Sequence, residues 1–166
     1  NLEKLIEAFS QFKQEMKEEV SLVLVGKDDY FYQRLRQKIK QEKLENILIK
    51  HNVNDEELFS LYSHARAFVS PSLMEGFGLP PLEAMSASCQ VLLSDIPSFR
   101  EVCQDAAWYF DPQIKQSLTQ QMRFVYTSDH KIKEEKIRKG LERVKSFSWE
   151  KMAKETVQIY ESSISI

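Results

Sequence analysis

A regular exchange of two patterns limits the folds open to this chain more than any other feature. Short runs that are β-branched or almost continuously apolar, at residues 20–25, 46–49, 66–70, 90–94 and 108–110, alternate with stretches whose apolar residues return every three or four positions. The first such stretch puts Leu2, Leu5, Ile6, Phe9 and Phe12 on one helical face. Later helical stretches run through Phe31, Leu35 and Ile39, over 55–62, over 80–88 and briefly over 97–102. From residue 113 to the end the pattern is helical, with breaks near 127–129 and 147–148, where Asp129 and Ser148 suit N-caps. Strand and helix in repeated succession require parallel pairing through right-handed crossovers. The predicted class is therefore α/β, a Rossmann-like open parallel sheet with helices on both faces. The run Val20-Ser21-Leu22-Val23-Leu24-Val25, stopped by Gly26, reads as a strand buried on both faces, and Trp108 and Trp149 read as core.

With 166 residues, 42% of them hydrophobic and 29% charged, the chain suits one globular domain over 1–166. Its 23 basic and 25 acidic residues leave a formal charge of -2 with no long single-sign block, which argues against a nucleic-acid partner. The charges over 131–138 fit an exposed helix face with i,i+4 pairs. Cys89 and Cys103 stand far apart, without a CxxC pair or a histidine at ligand spacing. Neither a zinc site nor a disulfide framework is indicated, and a reducing, cytoplasmic setting fits. No run approaches the ~20 apolar residues that cross a bilayer, and residues 1–20 read as an amphipathic helix rather than a signal peptide. His51 and His64 have no acid or nucleophile beside them and receive no catalytic role. Because the helical pattern is already running at Asn1, we expect a fragment whose first strand lies upstream.

In open parallel sheets ligands bind beyond the carboxyl ends of the strands, here the loops after Val25, Ile49, Val69 and Leu93. The third of these is unusual. Residues 70–85, SPSLMEGFGLPPLEAM, hold two of the chain's four glycines, Gly76 and Gly78. Successive amides of Gly76, Phe77, Gly78 and Leu79, followed by the positive end of a helix, form a cradle suited to a diphosphate. Pro80 or Pro81 suits the first helical turn, where no N–H partner is lost. Glu75 precedes the cradle and Glu83 is expected inside the first turn, where ionised carboxylates would grip the vicinal hydroxyls of a ribose or hexose. Taken singly, each feature has a plainer reading: Glu83 as a helix-dipole cap, Gly76-Phe77-Gly78 as a tight turn, Gly26 as a strand-ending turn, Lys27 as part of a solvated loop. Only their combination favours a ligand.

The segment PSLMEGFGLPPLEAM, with two glutamates separated by seven residues, resembles the donor-site motif of the retaining glycosyltransferases of family 4, the glycosyl transferases group 1, whose fold is the two-domain GT-B arrangement. The resemblance continues in NLEKLIEAF, LVLVGKDDY, DEELFSLYSHA, VLLSDIPSFREV, DAAWYFDP and FSWEKMAKE, and so covers nearly the whole chain. It implies the C-terminal, nucleotide-sugar-binding half of such an enzyme. Glu83 would bind the ribose hydroxyls, Glu75 the transferred sugar, and Gly76, Phe77, Gly78 and Leu79 the sugar and diphosphate through backbone amides. Gly26 would lie near the nucleotide and Val53 near the base. The family's basic residue before the position of Asn1 falls upstream of this chain. His51 stands where glycine is frequent, and Cys89-Gln90 where Gly-Pro is common.

The implied reaction moves a hexose from a nucleoside diphosphate to a hydroxyl with retention at the anomeric carbon, in polysaccharide, lipopolysaccharide or glycolipid synthesis. No cofactor and no metal are expected, the sugar nucleotide being substrate, and there is no Asp-x-Asp motif. The acceptor, a sugar or lipid-linked sugar, would be held by a missing N-terminal domain, leaving the isolated half nearly inactive. The full-length protein would sit in the cytoplasm, with peripheral association at the inner face of the membrane as a further expectation. The alternatives are a noncatalytic sugar-nucleotide-binding module and a GT-B sugar-nucleotide epimerase. A phosphorylase of related architecture would need a lysine-bound pyridoxal group with no evident site, and a response-regulator-like domain gives no reason for the glycine cradle.

Overall fold

The apolar stripe at the start of the chain becomes α1 (Leu2–Met16), with Leu5, Ile6, Ala8, Phe9 and Phe12 buried. The structure is a computed structural model that describes residues 1–16 and 19–164. The helices expected over 1–20 and to the C-terminus run into 17–18 and 165–166, which lie outside the described residues. The order continues β1 (Leu22–Val25), α2 (Tyr30–Gln41), β2 (Ile47–Lys50), α3 (Asp55–His64), β3 (Phe68–Ser70), α4 (Leu79–Ser86), β4 (Val91–Ser94), α5 (Pro97–Cys103), β5 (Trp108–Phe110), α6 (Lys115–Thr127), α7 (His130–Val144) and α8 (Trp149–Ile164). Helix starts follow side-chain chemistry. Asp29, Asn54 and Asp129 accept backbone N–H groups of Tyr32, Glu57 and Lys131 as N-caps, and Ser148 accepts from Lys151.

Every strand pair is parallel, but the ladder is in two pieces, β1-β2 and β3-β4-β5. Leu24 lies opposite Ile49, Val69 opposite Leu92, and Leu93 opposite Tyr109. β4 is the buried centre of the larger piece, all four of its residues being buried. Its side chains alternate between two cores, as a pleated strand requires. Leu92 joins Ile6, Phe9, Phe12, Leu24, Leu35, Phe110 and Leu118, the layer made by α1, α2 and α6. Val91 and Leu93 join Leu82, Met85, Phe99 and Val102, a layer from α4 and α5 with Tyr62 of α3 and Val144 of α7 against it. Helices therefore cover both faces.

Polar contacts tie each layer. Lys38 of α2 reaches Glu7 of α1 at 2.7 Å, and Thr119 Oγ1 of α6 donates to the Ala8 carbonyl at 3.4 Å. The basic face of α7 is not wholly solvated. Arg143 donates to the Val102 carbonyl at 2.6 Å, and Lys136 to those of Asp105 and Ala107 at 2.7 and 3.0 Å, serving carbonyls at and after the end of α5.

Three expectations are corrected. β1 is not buried on both faces: Leu24 is buried and Val25 is exposed, and among the described residues β1 has a strand partner on one side alone. Phe31 is exposed, since α2 turns Leu35 inward instead. Trp149 is 72% exposed at the start of α8, whose described side chains all lie on the surface, whereas Trp108 is half-buried, donating to Gln90 Oε1 and packing edge-on to Phe124.

Candidate functional site

β3 ends at Ser70, Pro71 is buried, and residues 72–77 form a surface ledge leading into α4. Gly78 is the N-cap of α4 with φ 106° and ψ 57°, left-handed backbone that a side chain would strain. A Cβ there would also lie 2.9 Å from Phe99 Cε1. Gly76 differs: a Cβ built on it meets nothing within 4 Å, so the fold itself does not require glycine there. Pro80 and Pro81 occupy the first turn and bring no N–H. Among the described residues, the N–H groups of Gly76, Phe77, Gly78 and Leu79 have no hydrogen-bond acceptor within the chain. Four consecutive donors at the positive end of a helix, beyond the buried carboxyl end of β3, are an anion-binding arrangement.

Two carboxylates flank these amides. Glu75 is exposed and accepts the Ser72 hydroxyl at 2.7 Å; Ser72 Oγ is 3.3 Å from Ser70 Oγ, and Ser94 Oγ donates to the Ser70 carbonyl at 3.4 Å. Glu83 is the fifth residue of α4, not in its first turn, because the helix starts at Leu79. That position removes the reading of Glu83 as a cap. It faces α3 instead, where Tyr62 Oη donates to its Oε2 at 3.4 Å. Burial, reinforced by the Glu83 carboxylate, pushes the Tyr62 phenol well above its ordinary range, so the hydroxyl stays a donor. Phe77 lies edge-on to Phe147 at 5.6 Å but remains 44% exposed, as do Leu73, Met74 and Leu79 beside it to similar or greater extents.

Gly26 and Val53 sit apart from this group, on the loops after β1 and β2. Gly26 is roofed by Tyr32, whose hydroxyl would be 2.2 Å from a Cβ and donates to the Val25 carbonyl at 2.9 Å. His51 Nδ1 lies 2.8 Å from the Gly26 carbonyl, its ring edge-on to Tyr32. The glycine is thus accounted for by close packing inside the chain. Val53 is half-buried just before the Asn54 N-cap. Among the described residues no hydrogen bond links Gly26 or Val53 to residues 71–83.

At the end of β4, Arg100 grips Asp95 with two contacts of 2.6 Å and stacks on Tyr109 at 3.7 Å. The guanidinium holds the Asp95 carboxyl below its usual range, and the pair is satisfied internally. Burial pushes the Cys89 and Cys103 thiols up to about 11, which leaves them unreactive. A depression lined by Arg36, Ile39, Lys40, Leu44, Ile47 and Ile49 lies between α2 and β2 and includes none of the loop residues. Residues 73–77 of the loop before α4 are exposed.

Sequence reasoning missed Ser72, Ser70, Ser94, Tyr62 and Tyr32. Ser72 carried a signal, the Ser-x-x-Glu spacing of a capping box, but no helix follows it directly. Tyr62 and Tyr32 act across tertiary contacts, which spacing does not reveal.

A family model described as glycosyl transferases group 1 matches residues 1–143. The chain is 37% identical over 115 residues to the O-antigen chain mannosyltransferase RfbU of Salmonella typhimurium, covering 69% of this chain and 33% of that protein. It is 32% identical over 164 residues to the O-antigen chain mannosyltransferase B of Escherichia coli, covering 96% of this chain and 42% of that one. Its fold superposes on sucrose-phosphate synthase from Thermosynechococcus elongatus with a TM-score of 0.83 at 24% identity, over 98% of this chain and 42% of that one. The chain spans less than half the length of each of these proteins.

Proposed function

We propose, from the premise that this chain belongs to the glycosyl transferases group 1 family, that it is the donor-binding part of a retaining mannosyltransferase acting in surface-polysaccharide synthesis. The observation that carries the reading is the run of unengaged N–H groups at Gly76, Phe77, Gly78 and Leu79, at the start of α4. A nucleoside diphosphate places two anionic phosphates between two polyols, and the loop offers matching parts in the same order. The amides and the helix end take the diphosphate, Glu75 the sugar hydroxyls, and Glu83, steadied by Tyr62, the ribose hydroxyls. As the diphosphate departs, negative charge grows on its oxygens, and fixed amide dipoles stabilise it without rearranging. Glu75 orients the sugar and tolerates the positive charge at its anomeric carbon. No metal is needed for these steps. Gly26 and Val53, on the loops after β1 and β2, are assigned to the nucleoside side of the site as wall rather than as polar groups, by the family resemblance alone.

The mannosyl preference follows from the named activities of the two curated relatives, and the acceptor is a growing polysaccharide or lipid-linked sugar held by parts of the full-length protein outside this chain. The domain reading is similar. Among the described residues β1 and β3 are each paired on one side only, and a further parallel strand outside this chain would complete one sheet in the order β2-β1-strand-β3-β4-β5, the doubly wound arrangement.

Calorimetry of the chain with GDP-mannose, UDP-glucose and ADP-glucose tests the reading. GDP-mannose is expected to bind best, Glu83→Ala to weaken nucleotide binding by about ten-fold, and Glu75→Ala in the full-length protein to lower transfer more than donor affinity, with EDTA making no difference. Wild-type affinity and transfer in both variants would remove the two carboxylates from the site.

A further inference from the structure

We propose that Ser72 is a positioning residue for Glu75, the outer member of a relay of hydroxyls that fastens an exposed carboxylate to the buried ends of two strands. The proposal rests on the reading of Glu75 as the sugar-facing carboxylate.

Glu75 stands on the ledge between exposed Met74 and exposed Gly76, where an unrestrained glutamate samples many rotamers. Among the described residues, Ser72 is the side chain that hydrogen-bonds it, at 2.7 Å, the length of a charge-assisted O–H···O contact. A serine hydroxyl has one proton, so with that proton on Glu75 the Ser72 oxygen can only accept, and Ser70 Oγ lies 3.3 Å away to donate. The Ser94 hydroxyl in turn donates to the Ser70 carbonyl at 3.4 Å. Each hydroxyl proton is used once: that of Ser70 on Ser72 and that of Ser72 on Glu75, while Ser94 anchors the main chain of Ser70. The relay's inner members are firmly held: Ser94 is fully buried at the end of β4, and Ser70 is buried at the end of β3. The step from Ser70 to Ser72 passes through buried Pro71, whose ring fixes its φ and stiffens the connection.

The consequence concerns the two carboxylate oxygens. Oε1 of Glu75 is occupied by Ser72, which leaves Oε2 to accept a hydroxyl of the sugar. The side chain is ordered before the ligand arrives, so less rotamer freedom remains to be lost on binding. The relay touches only Glu75, not the amides of residues 76–79, and so it should act on the sugar and not on the diphosphate.

Calorimetry of the full-length protein with GDP-mannose and with GDP separates these contributions, because the ratio of the two affinities isolates the sugar. Ser72→Ala is expected to reduce that ratio by about ten-fold while leaving GDP affinity unchanged. Ser72→Thr, which keeps the hydroxyl, should preserve the ratio. Glu75→Ala should lower it as far as Ser72→Ala or further, and adding Ser72→Ala to Glu75→Ala should lower it no more. If Glu75→Ala lowers the ratio and Ser72→Ala does not, the relay is overturned while the reading of Glu75 stands. If Ser72→Ala weakens GDP as much as GDP-mannose, Ser72 merely folds the loop and the proposal fails. If Glu75→Ala leaves the ratio intact, or the wild type does not distinguish the two ligands, the reading of Glu75 as a sugar contact itself fails.

Discussion

Gly76 and Gly78 are two positions apart and answer to opposite constraints. Gly78 is held by the fold, through its left-handed backbone and the Phe99 ring that a side chain would strike. Gly76 faces open space. Gly78→Ala should therefore lower the melting temperature by roughly 3–8 °C, from a backbone penalty of about 1–2 kcal/mol. Gly76→Ala should leave it unchanged and weaken GDP binding by about ten-fold, because close approach of the diphosphate to the main chain is what the missing side chain permits. A thermal melt and a GDP titration on both variants check the pair, and unaltered GDP binding by Gly76→Ala would count against a ligand on this ledge. Single residues were unevenly legible in the sequence. The glycines and Glu75 stood out because turns and charges have short-range signatures. Glu83 was expected inside the first helical turn, since either proline could have started the helix, but the helix begins at Leu79, which puts Glu83 past that turn. Trp149 was misread because an apolar residue in a helical pattern faces the core only if another element packs against that helix.

At the scale of elements, the open edges of β1 and β3 carry the clearest consequence. Leu22 and Gly26 donate to the Asn46 and Lys50 carbonyls, on the side of β2, so in a parallel ladder the N–H groups of Val23 and Val25 point to the opposite side, unpaired among the described residues. Phe68 donates to the Gln90 carbonyl toward β4, which turns the N–H of Val69 to the open edge of β3. If an upstream strand lies between these edges, the amides of Val23, Val25 and Val69 should exchange with solvent far more slowly in the full-length protein than in this chain. Equal exchange in both would dismiss the intervening strand. The number, type and order of elements were readable from periodicity, including the breaks before α7 and α8. Two things were not. Strand lengths came out shorter, because the expected runs at 20–25 and 66–70 include residues that lie outside the strand ladders. The division of the ladder depends on which strands lie side by side, and that information is in no local pattern.

For the whole molecule, two helical layers enclose the strands, and β4 supplies side chains to both cores. Among the described residues, the connection from the end of β3 to the start of α4 carries N–H groups at residues 76–79 that the fold does not consume. The central claim is that these donors hold the diphosphate of an activated sugar. Backbone amide exchange with and without saturating GDP-mannose tests it most directly, since the readout is the N–H groups themselves. The ligand is expected to slow exchange at Gly76, Phe77, Gly78 and Leu79 while the amides of α8 stay as they were. Protection elsewhere with these four unchanged would contradict it.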